Sequence, residues 1–505
     1  MKFLSVVPVF CLSVWMAGAQ TNLNSTASRA MSLQDCIQEA LAHNLDLQIQ
    51  RYNPQFSLYN LHAQYGAYDP TFSFSGKHVY NNSGASFQNG LRVPGQQINA
   101  DIFSSGFNGS LPWGMTYNLA GAVSSTKGDQ FANVGNTLVT TPLQSSSGQI
   151  GALTLTQPLL KNFWIDQTRL NVRVAKNRLE YSQQGVRNQL ITSITAVENA
   201  YYELIYAQEN VTVQEEALVL AQTQLEQDQQ RVQIGTLAQL DVQQDEAQVA
   251  TSKANLIAAQ NTLSIDENAL KNVLTDNYAQ WHDVLIEPTE TLAATMQLFN
   301  LQDSWNKGMT ERPDLLQARL NVAQQGIQLK FDKNQLYPSL DLIGSYGYNG
   351  SGGNFGNTFD QFNQANAPFW TYGAQFSMPL SNIGARNQAK AGKVTLQQLL
   401  LQLKQLEQTV MVEIDNAVKQ AESSYQSVQA TQQARIYAQA ALDAEQKKYA
   451  VGKSTTFTVL QLQNSLTAAR SQEIRSLADY NEALANLSAQ EGSTLDRNGI
   501  NLEWK

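Results

Sequence analysis

Apolar residues recur every seventh position over a long stretch of the chain: Leu190, Val197, Leu204, Val211, Leu218, Leu225 and Val232 share one register. After an interruption at Gly235 the spacing resumes with Val242, Val249, Leu256, Leu263 and Leu270. A strict seven-residue repeat keeps a narrow seam facing a partner helix, so the pattern predicts an antiparallel coiled-coil hairpin folded back at the glycine. Proline would remove a helical hydrogen bond and clash with the preceding turn, and none occurs between 159 and 287 or between 380 and 505. Each run has a central glycine turn, Gln233-Ile234-Gly235-Thr236-Leu237 in the first and Ala450-Val451-Gly452-Lys453-Ser454 in the second. At the α-helical rise, about 65 residues from Thr168 to Val232 would make a rod of roughly 100 Å. Ala200, Ala207 and Ala221, beside the seam, allow neighbouring helices to approach closely.

Elsewhere the period falls to two. Phe72, Phe74, His78 and Tyr80 alternate with Thr71, Ser73, Lys77 and Val79, and Met115, Tyr117 and Leu119 with Thr116, Asn118 and Ala120. Such alternation predicts strands, as do Leu153 and Leu155, Leu340 to Tyr348, and Trp370 to Met378. Long polar loops are expected at 82–100, 126–147 and 350–367, against one tight turn at Pro112-Trp113-Gly114. Long loops on one side, short turns on the other and aromatic girdles between them characterise transmembrane β-barrels, in which Trp113 and Trp370 would sit at the membrane interface. The rim of a soluble sandwich would give the same local alternation.

The chain repeats itself. Ser32-Leu33-Gln34-Asp35 returns as Asn300-Leu301-Gln302-Asp303, Asp46-Leu47 as Asp314-Leu315, and Asp69-Pro70 as Tyr337-Pro338, all at one offset. Thr156-Gln157-Pro158-Leu159 corresponds to Ser377-Met378-Pro379-Leu380. Two structural repeats follow. The first covers 20–274, with strands within 69–157 and a hairpin over 165–274 whose tip is Gly235. A connector at 275–299 leads to the second, 300–492, with strands within 337–379 and a hairpin over 383–492 whose tip is Gly452. Residues 493–505 are a tail. Ser32 and Asp35 predict a capped helix, with a break near Asn44 and a kink at Pro54.

Residues 1–19 have the layout of a secretory signal: Lys2, an apolar run from Phe3 to Met16, and Ala17-Gly18-Ala19 as the cleavage site. Cys36 would then be the one cysteine of the mature chain, placed for packing. The net charge of -9 and pI near 5.1 argue against nucleic acid as a partner. His43, His62, His78 and His282 show no metal spacing, and Gly350-Ser351-Gly352-Gly353 has no lysine after it to make a phosphate cradle. No enzyme, cofactor or metal site is expected.

Strands, long helix, glycine tip and return helix, duplicated behind a signal sequence, resemble the TolC family of outer-membrane efflux proteins. The marks are Leu155-Thr156-Gln157-Pro158-Leu159, then Ile234-Gly235-Thr236 with Leu240-Asp241-Val242, then Tyr449-Ala450-Val451-Gly452 with Val459-Leu460. The resemblance implies a mainly α protein with a membrane β-barrel. Three chains would close the barrel in outer-membrane lipid, above an α-helical tunnel in the periplasm. It implies a passive export conduit in a tripartite efflux or type I secretion system. The tips, at Ile234, Gly235, Thr236, Val451, Gly452 and Lys453, would dock a periplasmic adaptor (membrane fusion) protein, which couples to an inner-membrane RND, ABC or MFS pump.

The sequence departs from that family in two places. Where members carry an arginine and aspartates that close the tunnel mouth, it has Ser454, Thr458 and Gln461, while Asp241 and Tyr449 remain. The expected gate is therefore Asp241, Tyr449 and Ser454, held by hydrogen bonds and packing. About 47 extra residues also enlarge the first copy. Read as a long extracellular loop, they leave the family's twelve strands per trimer; read as a hairpin through 102–125, they give eighteen. A secreted or surface coiled-coil structural or adhesion protein is the competing reading, and it leaves the matched strands unexplained.

Overall fold

The computed structural model describes residues 28–88, 90–135 and 137–500, so the signal segment lies outside the described residues. The strands are β1 (Ser28–Met31), β2 (Thr71–Asn82), β3 (Ser86–Gln88), β4 (Leu91–Val93), β5 (Gln97–Ser110), β6 (Thr116–Val134), β7 (Thr137–Pro158), β8 (Leu285–Pro288), β9 (Ser339–Gly352) and β10 (Pro368–Ser377). The helices are α1 (Leu33–His43), α2 (Leu45–Tyr65), α3 (Gln167–Gln233), α4 (Gln239–Leu274), α5 (Tyr278–Trp281), α6 (Leu301–Glu311), α7 (Pro313–Asn334), α8 (Phe355–Gln364), α9 (Ile383–Ala450), α10 (Thr456–Glu491) and α11 (Thr494–Arg497). They form two compact units. One takes 28–44, 196–295 and 424–482 of the described residues, the other 45–195, 296–423 and 483–500.

The second unit contains one antiparallel sheet, in the order β10-β9-β7-β6-β5-β2. Directly paired residues share a face, so the register sorts the side chains. One cross-strand row reads Phe72, Phe107, Leu119, Leu153, Tyr346, Trp370. Phe74, Phe103, Val123, Ile150 and Tyr372 lie on the same side. The opposite face is small and polar: Ser75 bonds Ser104 at 2.8 Å, and Thr154 bonds Ser345 at 3.1 Å. Beyond the apolar rows the outer face turns polar too, where His78 meets Asp101 at 2.7 Å and Ser125 pairs with Ser146. Among the described residues, the outer edges of β2 and β10 carry no partner strand.

One end of the sheet connects to helices: α2 feeds β2, β7 leads to α3, α7 feeds β9, and β10 leads to α9. The turn between β5 and β6 is at this end, closed by Leu111 N–H donating to the Met115 carbonyl at 2.8 Å, with Gly114 at a φ of 92°. At the other end lie 83–96, the β6–β7 connection and 353–367.

Several expectations are corrected here. Residues 102–125 are no loop: they belong to β5 and β6, in the interior of the sheet. The loop expected at 126–147 is the outer half of the β6–β7 hairpin, whose serines, threonines and glutamines pair strand to strand in place of an apolar signal. Within 350–367 the chain forms α8, and within 82–100 the small β3–β4 hairpin. Helix α2 holds Pro54 in its interior, where the kink is expected, and continues to Tyr65.

In the first unit, β1 and β8 pair in parallel around a core of Met31, Ile37, Tyr201, Leu204, Leu270 and Ile286. Ser32 and Asp35 form a complete capping box at the start of α1, and Asn44 ends it. Tyr201 donates to the Met31 carbonyl at 3.1 Å. Cys36 is fully buried, and burial pushes its thiol up to about 12, so it packs and does not react.

Candidate functional site: the hairpin tips

Both tips lie in the first unit, and both are built from the same backbone device. A helix leaves its last carbonyls without partners, and a residue in left-handed conformation lets two of them be satisfied at once. At the first tip Gly235, at a φ of 75°, donates to the Val232 carbonyl, and Thr236 donates to Arg231. At the second, Gly452, at a φ of 72°, donates to Tyr449, and Lys453 to Lys448. Glycine alone adopts this conformation without strain, which explains the residue at both turns.

Ile234, Gly235, Thr236, Val451, Gly452 and Lys453 are all exposed. Ile234 is 74% accessible and Val451 67%. Two residues outside the expected docking set join them, Leu240 and Phe457 at the starts of the return helices, each 64% accessible. Two exposed apolar side chains flank each turn.

Behind the tips is a buried polar cluster. The Tyr449 hydroxyl lies 2.7 Å from both carboxylate oxygens of Asp228 and 2.9 Å from the Thr456 hydroxyl. Arg231 approaches Asp228 at 3.5 Å and places its guanidinium 4.4 Å from the centre of the Tyr449 ring. Asp228 belongs to α3, Tyr449 to α9 and Thr456 to α10, so this one carboxylate ties the two hairpins together. Leu442, Tyr449, Val459 and Leu466 pack as the apolar core beneath it.

Asp245, on α4, is also fully buried, and the group its carboxyl faces is another acid, Asp228. Burial first, then the charge of Asp228 and a hydrogen bond with it, then the charge of Asp241, push its carboxyl up to about 7. Asp241 is in the first turn of α4, half-buried. Ser454 is not part of this cluster: its hydroxyl donates to Glu445, which also pairs with Lys448 at 2.8 Å, and these bonds hold the Glu445 carboxyl below its usual range. Of the three expected gate residues, then, Tyr449 is at the centre, Asp241 acts through its charge on Asp245, and Ser454 stays within its own hairpin.

Asp228 and Asp245 were missed because each occupies a seam position that the heptad reading reserves for apolar side chains. The signal was available: Val242 and Val249 mark one edge of the α4 seam, and Asp245, Ser252 and Ala259, three residues on from successive marks, are all buried. In the second unit, Trp113 sits in the turn between β5 and β6, and Trp370 stacks on Tyr372 on the apolar face of β10 with ring centres 5.7 Å apart.

A duplicated sheet-and-hairpin chain of this kind defines a class. The family model for outer membrane efflux proteins matches residues 123–275 and 307–493, more than half of the chain, and the chain belongs to that family. Outer membrane protein TolC of Salmonella enteritidis is 28% identical over 287 residues, which cover 56% of this chain and 57% of that protein. The chain therefore spans little more than half the length of this relative. TolC of Vibrio cholerae is 26% identical over 348 residues, covering 66% and 75%. Among solved structures, the outer-membrane channel OprN superposes with a TM-score of 0.67 at 15% identity, covering 91% of this chain and 90% of its own. The Vibrio cholerae outer membrane protein VceC gives 0.65 at 17% identity, covering 91% and 96%. Both share the fold.

Proposed function

We propose that the chain is one protomer of a homotrimeric outer-membrane channel that conducts cargo passively across the periplasm and outer membrane. The observation that carries this reading is the sheet: one apolar face, one polar face and two open edges. In lipid every backbone donor and acceptor needs a partner, so such a sheet must close on copies of itself. Six strands from each of three chains make a barrel of eighteen. The polar face would line the lumen. The long hairpins extend the conduit into the periplasm, and the exposed apolar side chains at both tips receive the adaptor that links it to an inner-membrane RND, ABC or MFS pump.

The buried cluster suits a periplasmic gate, because Tyr449, Asp228 and Thr456 must part if one hairpin is to swing from the other. The test is conductance. The chain, extracted from outer membranes as a heat-modifiable trimer, should give discrete channels in planar bilayers, and Asp228→Ala should raise their open probability. A soluble secreted product with no conductance would favour the coiled-coil adhesion reading instead.

A further inference from the structure

Helix α8 is built to sit at one place on the sheet. The Asn354 side chain accepts from the Asn357 N–H to start it, Phe355, Phe359 and Phe362 fall on one side at helical spacing, and Ala365, at a φ of 50°, ends it. It packs against β9, β7 and β6. Phe355 packs on Phe103 with centroids 5.8 Å apart, and the buried Thr358 hydroxyl lies 2.8 Å from Ser146 Oγ. A Cβ at Gly350 would come within 2.6 Å of the Phe362 ring, so that glycine is what lets the helix lie flat. These contacts span the level where the apolar rows give way to the polar row of His78, Asp101, Ser125 and Ser146.

Between helix and sheet is a cleft of about 190 Å³. Its floor is Gly121 and Ser105, its walls include Phe74 and Val123, and its roof is Phe359 and Phe362. None of its lining residues is charged, so nothing in it would hold a lipid headgroup. The cleft is lined mainly by apolar side chains and opens onto the apolar rows that face lipid in the barrel.

We propose that the cleft under α8 binds one acyl chain of an outer-membrane lipid. The inference rests on the barrel reading above. Helix α8 thereby becomes a clamp at the membrane interface, its Phe359 half exposed to the same hydrocarbon. The headgroup stays beside the polar row.

The trimer purified in detergent is stripped of lipid, titrated with phosphatidylcholine and weighed by native mass spectrometry. The unmodified protein should retain one phosphatidylcholine per chain that Gly121→Phe, which fills the floor, binds about tenfold more weakly. A Cβ at Gly121 meets nothing closer than 3.6 Å, so the substitution can be accommodated. Phe359→Asn, which removes part of the roof from a half-exposed position, should have the same effect and decides the matter if the glycine variant fails to assemble. Insertion into phosphatidylcholine vesicles is scored in parallel. Equal lipid retention by inserted wild type and variants overturns the cleft alone; failure of the wild type to insert overturns the barrel reading beneath it.

Discussion

The two hairpin tips share a backbone and differ in chemistry. Gly235 and Gly452 have φ values of 75° and 72° and close the same pair of bonds to the preceding carbonyls. Around the first turn, however, stand Asp228, Arg231, Asp241 and Asp245; around the second, Tyr449, Ser454, Thr456, Glu445 and Lys448. The first hairpin brings buried acids, and the second brings the hydroxyls that answer one of them. Any copy of a helical hairpin has to satisfy its helix ends, which keeps the turns alike. Coupling between copies needs unlike partners, which is where the repeats diverged.

Removing the shared acceptor should break the comparison most sharply. Asp228→Ala takes the charged acceptor from the buried Tyr449 hydroxyl and leaves it Thr456 alone, and should cost about 2–3 kcal/mol of tip stability. Hydrogen exchange should quicken in both 220–250 and 440–465. Acceleration confined to the first hairpin would show that the carboxylate does not couple them. Tyr449→Phe keeps the ring under Arg231 but loses the hydroxyl, and about 1–2 kcal/mol is expected, again in both hairpins. Ser454→Ala should leave the first hairpin untouched, because its bond to Glu445 is internal to the second.

A fourth substitution tests the acid that the hydroxyls leave unanswered. The folded protein raises the Asp245 carboxyl from 3.8 to about 7, so it holds a proton that the opened chain releases. The resulting stability is fully present below the unfolded value and is lost as pH rises through about 7. Protection at the tips, corrected for the intrinsic rise of exchange with pH, should therefore fall between about pH 4 and 7 in the native protein and level off above that, and Asp245→Asn should flatten that profile. A slope that survives the substitution assigns the titration to another group.

How much of this was legible in the sequence depends on whether a signal was periodic or pairwise. The heptad series and the glycine turns are local, and the structure has helices of 67 and 68 residues where proline is absent. The alternation at Phe72 to Tyr80 marked β2, but nothing local distinguishes a strand of serines and threonines at 137–147 from a polar loop; only its pairing with 116–134 does. The seam position of Asp228 marks it as buried, but its partner Tyr449, 221 positions away, leaves no local sign. Helix α8 could have been read from Asn354 and the spacing of its phenylalanines, and the glycines before it and at Gly356 inside it concealed it.

The smallest effect tests what the tips have in common. Gly235→Ala and Gly452→Ala each force a side chain into left-handed conformation, and neither position has a heavy atom within 4 Å of the added Cβ. No clash contributes, so the cost is the backbone strain alone, roughly 1 kcal/mol at each turn. Because that strain depends on φ and on nothing the two hairpins do differently, the exchange rates at 231–237 and 448–454 should rise by the same factor. A larger response at Gly452 would mean that the turn also sets the aim of Tyr449, three residues earlier, onto Asp228. The backbone and the side-chain coupling would then be one device, and the likeness of the two turns only apparent.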